Sequence, residues 1–272
     1  MHRPEPNPPR RASLVPSLLA LALFAALLAP SLAQGRCMSG NLTVWPPPET
    51  ALPTSPLILI EGFGDQQPQV AALAADGSAE LVAPGHRVAL VVDAVNVGAF
   101  RVTQAVVHAA EPLKPSKRYV LKLRGAKGRA VATTYYGDKG REKIGWKTAS
   151  AEPAPLQMSD ALRIIGPSYV ALGCGPSVNF QVAVPATSGA PIAVEVALTE
   201  ADASAHRYVV PIEEGVLRIG HGMCGGPFEV TGADKKWQAK LTLRDAAGRV
   251  LPVAAALEFA GVEPDSAGGP ER

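Results

Sequence analysis

The feature that most constrains the fold is the punctuation of the chain after Cys37. Short β-rich apolar or alternating runs are broken repeatedly by Gly and Pro, and no stretch holds a 3.6-residue apolar period between helix caps. The 26 Gly and 26 Pro supply the breaks. An all-β fold is expected. Leu57–Ile60 and Val88–Val92 are apolar runs, whereas Tyr119–Arg124 alternates, placing Tyr119, Leu121 and Leu123 on one face and Lys122 and Arg124 toward water. Val178–Val184, Ile192–Leu198 and Trp237–Arg244 behave likewise, the last with Trp237, Ala239, Leu241 and Leu243 inward. The turn Asp245-Ala246-Ala247-Gly248 then returns the chain to a strand beginning at Val250. Val70–Leu81 is Ala-rich, but Gly77 and Pro84 restrict it to a loop or one turn of helix.

The first 33 residues read as a secretory signal peptide. Arg3, Arg10 and Arg11 precede an apolar run from Leu18 to Ala29, and Ser31-Leu32-Ala33 offers a small-residue cleavage site. The run is shorter than the roughly 20 apolar residues a membrane span needs, so the mature chain is expected to lack a transmembrane helix. Gly35-Arg36 before Cys37 fits lipoprotein processing poorly, and the residues behind Arg10-Arg11 fit twin-arginine export poorly. The expected location is periplasmic, cell-surface or extracellular. Loss of Arg3, Arg10, Arg11 and Glu5 takes the formal charge from +2 to zero, so global charge selects no partner.

The remaining 239 residues suit two domains of about 100 residues each. Ala151-Glu152-Pro153-Ala154-Pro155 reads as a stiff extended linker, because proline cannot donate to a ladder. The expected organisation is domain 1 over 37–150, domain 2 over 156–262, and a disordered tail over 263–272 that lacks a core-forming pattern.

Two stretches of domain 1 resemble a known family. Pro46-Pro47-Pro48-Glu49-Thr50-Ala51-Leu52-Pro53-Thr54-Ser55-Pro56, leading into Leu57–Ile60, looks like the Pro-rich opening of bacterial Ig-like domains of the S-layer type. Leu113-Lys114-Pro115-Ser116-Lys117-Arg118-Tyr119 resembles the Leu-x-Pro-x-x-x-Tyr stretch of that family and of fibronectin type III domains. The resemblance implies two Ig-like β-sandwiches in tandem, domain 2 being similar only through its strand count and the hairpin near Asp245. It also implies a tyrosine corner in which the Tyr119 hydroxyl bonds back to the chain before it. For function it implies adhesion, spacing or assembly at the cell envelope, with no catalytic residues to carry over.

Cys174 and Cys224, each beside glycines within domain 2, are expected to form a disulfide. Closing a loop of about 50 residues would contribute about 4 kcal/mol by chain entropy. Cys37 is then the odd cysteine, read either as a tether to a partner or as a tolerated thiol. Gly220-His221-Gly222-Met223-Cys224-Gly225 satisfies a dinucleotide-binding pattern literally, but Pro227 and its β-rich sequel argue against the helix that such a site requires. The glycines are better read as a turn holding the disulfide. His221, Met223 and Cys224 offer soft or imidazole ligands, yet no two of His86, His108, His206 and His221 lie at ligand spacing, and an oxidised Cys224 cannot ligate. No metal site and no cofactor is expected. No Gly-x-Ser-x-Gly, His-Glu-x-x-His or Cys-x-x-Cys is present, and Glu213 and Glu214 on a strand would face opposite ways. No catalytic residue is assigned.

Charge placement is the most informative irregularity. Lys114, Lys117, Arg118, Lys122, Arg124, Lys127, Arg129, Lys139, Arg141, Lys143 and Lys147 fall in one segment against only Asp138 and Glu142, a net +9. Residues 34–150 carry +5 and residues 151–272 carry −5. One reading is a polyanion-binding face centred on Lys122, Arg124, Lys127 and Arg129, with Tyr135 and Tyr136 as stacking surfaces. The other is a solvated strand face, partly neutralised by domain 2, that discourages edge-to-edge aggregation. The expected partner is an anionic polysaccharide or an envelope protein, with nucleic acid less favoured. The chain is thus expected to be an exported, non-enzymatic binding or structural module. A secreted hydrolase or its accessory domain, and a periplasmic metal-binding sandwich, remain the alternatives.

Overall fold

The computed structural model describes residues 37, 39–137, 140–200, 203 and 205–263. The expected signal peptide and residues 264–272 of the expected tail lie outside the described residues. Glu263, the first residue of that tail, is built into the fold: its carboxylate accepts from the Ala233 N–H at 2.8 Å.

Residues 40–147 form β1 (Gly40–Trp45), β2 (Leu57–Gly64), β3 (Ser78–Ala83), β4 (His86–Val97), β5 (Val102–Ala109), β6 (Arg118–Arg124), β7 (Ala130–Val131), β8 (Thr134–Gly137), β9 (Gly140–Lys143) and β10 (Gly145–Lys147). All of them except the β8–β9 hairpin belong to one antiparallel sheet of order β1-β2-β5-β4-β3-β6-β10, with β7 on β6. The start of β4 pairs with β3 and its end with β5, and the register shifts between Val92 and Ala94. Such a bulge bends a strand. Here the sheet curls over on itself, so that Ile58 and Ile60 of β2, Ala105 and Val107 of β5, Leu81 of β3, Tyr119 and Leu121 of β6, and Trp146 of β10 share one core. Leu52, between β1 and β2, closes the far edge: its N–H donates to Lys147 O at 2.9 Å and its carbonyl accepts from Ala149 N–H at 2.8 Å. The Ala-rich stretch is a single helical turn, α1 (Gln67–Ala71), extended by a 3₁₀ turn over Ala72–Ala74 that lays Leu73 into the same core. It ends earlier than the composition suggests, because Ala79, Leu81 and Ala83 alternate inward as β3.

The second half contains β11 (Gln157–Met158), β12 (Arg163–Leu172), β13 (Gly175–Ala183), β14 (Ala186–Thr187), β15 (Ile192–Glu200), β16 (His206–Pro211), β17 (Val216–His221), β18 (Lys236–Asp245), β19 (Val250–Pro252) and β20 (Leu257–Ala260). The sheet β12-β13-β17 faces the sheet β16-β15-β18-β19, with β20 also on β18. Their inner faces meet in a core that joins Val178, Phe180 and Val182 to Val194, Val196 and Leu198 and to Ala239, Leu241 and Leu243. That is the alternation the sequence predicts, with Trp237 half-buried at its margin. The Asp245 turn is held by Gly248 N–H on Asp245 O at 2.9 Å and by the fully buried Asp245 carboxylate paired with Arg249 at 2.6 Å.

The two halves are not independent beads on a linker. The described residues form a single compact unit. A third core, made of Trp45, Leu57, Leu59 and Val106 from the first half with Ala190, Ala193, Val209 and Ala246 from the second, explains why Leu57–Ile60 is apolar without alternation: β2 is buried on both faces. Each leucine so buried contributes about 1.5–3 kcal/mol. The expected linker is pinned as well. Thr54 Oγ1 donates to Glu152 Oε1 at 3.0 Å, Arg249 Nη1 to Pro153 O at 2.9 Å, and Gly189 N–H to Ala154 O at 3.0 Å.

Candidate functional site

The basic segment maps onto the end of the curled sheet farthest from β2 in strand order. Alternation along β6 buries Tyr119, Leu121 and Leu123 and turns Arg118, Lys122 and Arg124 outward. Lys147 of β10 stands directly opposite Arg118 and shares its face. Lys127 and Arg129 follow on the exposed loop after β6, which is fixed by Ala126 N–H donating to Gln69 Oε1 at 3.1 Å and Lys127 N–H to Asp76 Oδ2 at 3.0 Å. One carboxylate, Glu80, sits opposite Lys122 in the register, and it is already paired with Arg87 at 3.2 Å. Among the described residues none of Arg118, Lys122, Arg124, Lys127, Arg129 and Lys147 has an ion-pair partner, and no ion pair joins the basic half to the acidic one. The side chains of Tyr135 and Tyr136, expected as stacking surfaces, lie outside those described.

Tyr119 anchors this strand from behind. It is fully buried, its hydroxyl accepts from the Lys114 N–H at 3.0 Å, and it bonds His86 Nδ1 at 2.7 Å. The polar tip of the ring is thus satisfied at the corner before β6.

The seam between the halves holds polar groups that the sequence does not single out. Glu61 and Gln104 stand opposite each other on β2 and β5 and face β16. The buried Gln104 amide acts as a short extra strand on the edge of β16: its Nε2 donates to Val209 O at 2.8 Å, and its Oε1 accepts from Val209 N–H at 3.2 Å. Tyr208 donates to Glu61 Oε2 at 2.6 Å. Burial pushes the Glu61 carboxyl above the ordinary carboxylate range, with the Tyr208 bond pulling the other way. Burial, the Glu61 charge and the same hydrogen bond hold the Tyr208 phenol far above its usual range. Beside this pair lies a cleft of about 650 Å³ lined by Trp45, Leu59, Glu61, Ile192, Glu213 and Arg218, among others. Both of its carboxylates have partners, Glu61 in Tyr208 and Glu213 in Arg218 at 3.0 Å.

The cysteines depart from the sequence expectation of a Cys174–Cys224 bridge. Cys224 is bonded to Cys37, a partner 187 residues away, and Cys174 is a free thiol. The reason is tertiary: Cys37 lies against the loop after β17, at Cys224 and Met223, and the antiparallel bridge between Phe100 and Gly226 ties that loop to the first half. All three sulfurs nonetheless converge within 4.8 Å of one another. With Cys37 and Cys224 bonded to each other, only one thiolate is on offer, so the oxidised trio is not a ligand set for a metal. His221 does not join it; its ring bonds the Gly222 carbonyl at 2.9 Å and lies 3.6 Å from Glu229. The glycine pattern serves close packing, since a Cβ on Gly220 would lie 2.0 Å from Val178 O. No sequence signal could have favoured Cys37 over Cys174, because spacing is silent about which sulfurs meet in space.

The fold thus defines an all-β protein of packed antiparallel sheets, fastened by a disulfide that joins its two halves. Among the described residues no helix is long and apolar enough to cross a membrane. No protein-family model matches the chain, and no curated protein does. Solved structures similar to it include the type I pullulanase from Bacillus subtilis str. 168 complexed with maltose (11% identity, 83% of this chain, 25% of that chain, TM-score 0.23). They also include the N-terminal part of the bacterial S-layer protein SbsC (12% identity, 91% and 47%, TM-score 0.24) and a structure of the receptor tyrosine kinase Torso (9% identity, 94% and 93%, TM-score 0.26). The chain spans a quarter of that pullulanase and about half of the S-layer fragment. Likenesses this slight carry no argument about fold or function.

Proposed function

We propose that the protein is an exported, non-enzymatic module of the cell envelope or its surroundings, built of two Ig-like sandwiches, that binds an anionic polysaccharide through the outward face of β6 and β10. The observation that carries this reading is the set of exposed cations Arg118, Lys122, Arg124 and Lys147, with Arg118 and Lys147 directly opposed and no ion-pair partner for any of them among the described residues. Like charges opposed across a ladder cost roughly 0.2–1 kcal/mol. A bound polyanion relieves that repulsion and gains from every cation at once. The rigid third core supports a presenting role, because it fixes this face relative to the second half. A non-catalytic reading is favoured by the cleft, whose two carboxylates are engaged with Tyr208 and Arg218.

The test is retention of the purified mature protein on immobilised heparin across a salt gradient, beside a variant with Lys122, Arg124, Lys127 and Arg129 all changed to Gln. Retention of the wild type with early elution of the variant supports the reading. Co-elution of both at low salt refutes it and points to a protein partner. Circular dichroism of the variant guards against a folding defect.

A further inference from the structure

Cys174 occupies the two-residue tip, Gly173-Cys174, of the hairpin between β12 and β13, whose last register pair is Leu172 with Gly175. Cys224 lies in the loop after β17, which pairs with β13 so that Val178 meets His221. Both loops therefore emerge at the same end of one sheet. Their backbones touch there, since a Cβ on Gly175 would lie 3.3 Å from the Met223 carbonyl oxygen. Cys37 reaches the same place from the chain preceding β1, in the other half of the molecule. The three sulfurs lie within 4.8 Å of one another, and all three residues are only half-buried. A free thiol so close to a disulfide is the arrangement that thiol–disulfide exchange requires.

We propose that the trio is a thiol–disulfide exchange site in which Cys174 is the nucleophile and Cys224 the shared sulfur. The Cys174 thiolate attacks Cys224 Sγ; the Cys174–Cys224 bond forms as the Cys37–Cys224 bond breaks, and Cys37 leaves as a thiolate. The proton given up by Cys174 is regained at Cys37. One disulfide and one thiol are present before and after, so no oxidant or reductant is consumed. Cys224 is the shared partner because its loop and the Cys174 tip belong to one sheet and need little rearrangement, whereas Cys37 precedes β1, a strand of the other half's sheet. A freed Cys37 thiol also has an acceptor at hand, since its sulfur lies 4.0 Å from Met223 O.

The exchange has a consequence for binding. It cuts the covalent staple between the segment before β1 and the second half. It also moves the reactive thiol onto that segment, where the Cys37 thiolate attacks the disulfide of a second molecule, forming a mixed disulfide as that molecule's S–S bond breaks and its other half leaves as a thiolate. The substrate class is a disulfide, with glutathione disulfide the simplest probe.

The experiment uses the wild-type mature protein with its disulfide intact. The protein is incubated at pH 8.5, transferred to mildly acidic buffer, labelled with N-ethylmaleimide, and mapped by non-reducing peptide mass spectrometry. Label on both Cys37 and Cys174, with none on Cys224, is expected. The Cys37 label should grow with the pH of incubation, because the thiolate is the nucleophile, and should fall to background in Cys174→Ser. A Cys37→Ser variant should oxidise to a Cys174–Cys224 disulfide, and wild-type protein treated with glutathione disulfide should carry glutathione on Cys37. Label confined to Cys174 at every pH overturns the proposal, as do free Cys174 and Cys224 thiols in an oxidised, folded Cys37→Ser variant. Label on Cys224 overturns its assignment as the shared sulfur. The wild-type mapping decides the matter even if a variant fails to fold.

Discussion

Gln104→Leu is the substitution that best tests the seam. The replacement puts an apolar side chain of similar reach beside Val106 and Leu59, but removes the amide that pairs with both polar groups of Val209. Those groups point away from β15, where Val209 stands opposite Glu195, and among the described residues no other strand pairs with β16. Two hydrogen bonds to Val209 are lost at about 1 kcal/mol each, with a longer one from the part-exposed Asn96 Nδ2 at 3.3 Å that water can replace, and a buried N–H and a buried C=O left without partners add about 1–3 kcal/mol apiece where water does not reach them. Partial water entry places the expected loss at about 2–5 kcal/mol, within the range of a broken buried network. With an m-value of roughly 2–3 kcal/mol/M, the urea midpoint should fall by about 1 M or more. Equilibrium unfolding followed by both tryptophan fluorescence and far-ultraviolet circular dichroism measures it. Because the third core ties the halves together, the wild type should unfold in one transition. Gln104→Leu should lower the midpoint and, if the seam opens first, make the two probes diverge. A midpoint unchanged within 0.2 M, roughly 0.5 kcal/mol on that slope, would refute the claim that the Gln104 amide holds the edge of β16.

Three further outcomes follow from the same geometry. Glu61→Gln keeps an acceptor for the Tyr208 hydroxyl while removing the charge. Because burial raises the folded-state value of Glu61 above its unfolded value, the folded chain holds a proton that the unfolded chain has released between the two, and wild-type stability falls as pH rises through that window. The variant should therefore match the wild type near pH 4 and gain on it toward pH 8 in a melting series; a gain that shrinks with rising pH would contradict the assigned cause. Trp146→Phe removes a fully buried indole whose Nε1 donates to Pro46 O at 2.9 Å, and should cost about 2–4 kcal/mol in urea unfolding from cavity and orphaned carbonyl together; a cost below 0.5 kcal/mol would argue against that bond. Gly220→Ala would put a methyl 2.0 Å from Val178 O, so β13 and β17 must part; thermal melting should drop sharply, and an unchanged melt would show that this close approach is not made.

Local rules were enough to place much of the chain. Side-chain alternation with a period of two is a property of the backbone itself, so Tyr119, Leu121 and Leu123 of β6 and Ala239, Leu241 and Leu243 of β18 were readable as inward-facing from their order alone. So were the outward cations Lys122 and Arg124, and the turn at Asp245. What the sequence could not convey is which distant elements meet. Leu57–Ile60 reads as an apolar strand, but only the packing of the second half shows that its other face is buried too. Gln104 and Glu61 carry no motif; they matter because β16 arrives opposite them with an unpaired edge. Three cysteines allow three single pairings, and the expectation that the two within domain 2 bond to each other is overturned by the packing of the halves, which brings Cys37 to Cys224. Strand identity and facing thus come from short-range stereochemistry written into the sequence. Seam, staple and thiol cluster come from long-range packing, where the partner is chosen by the shape of the whole fold.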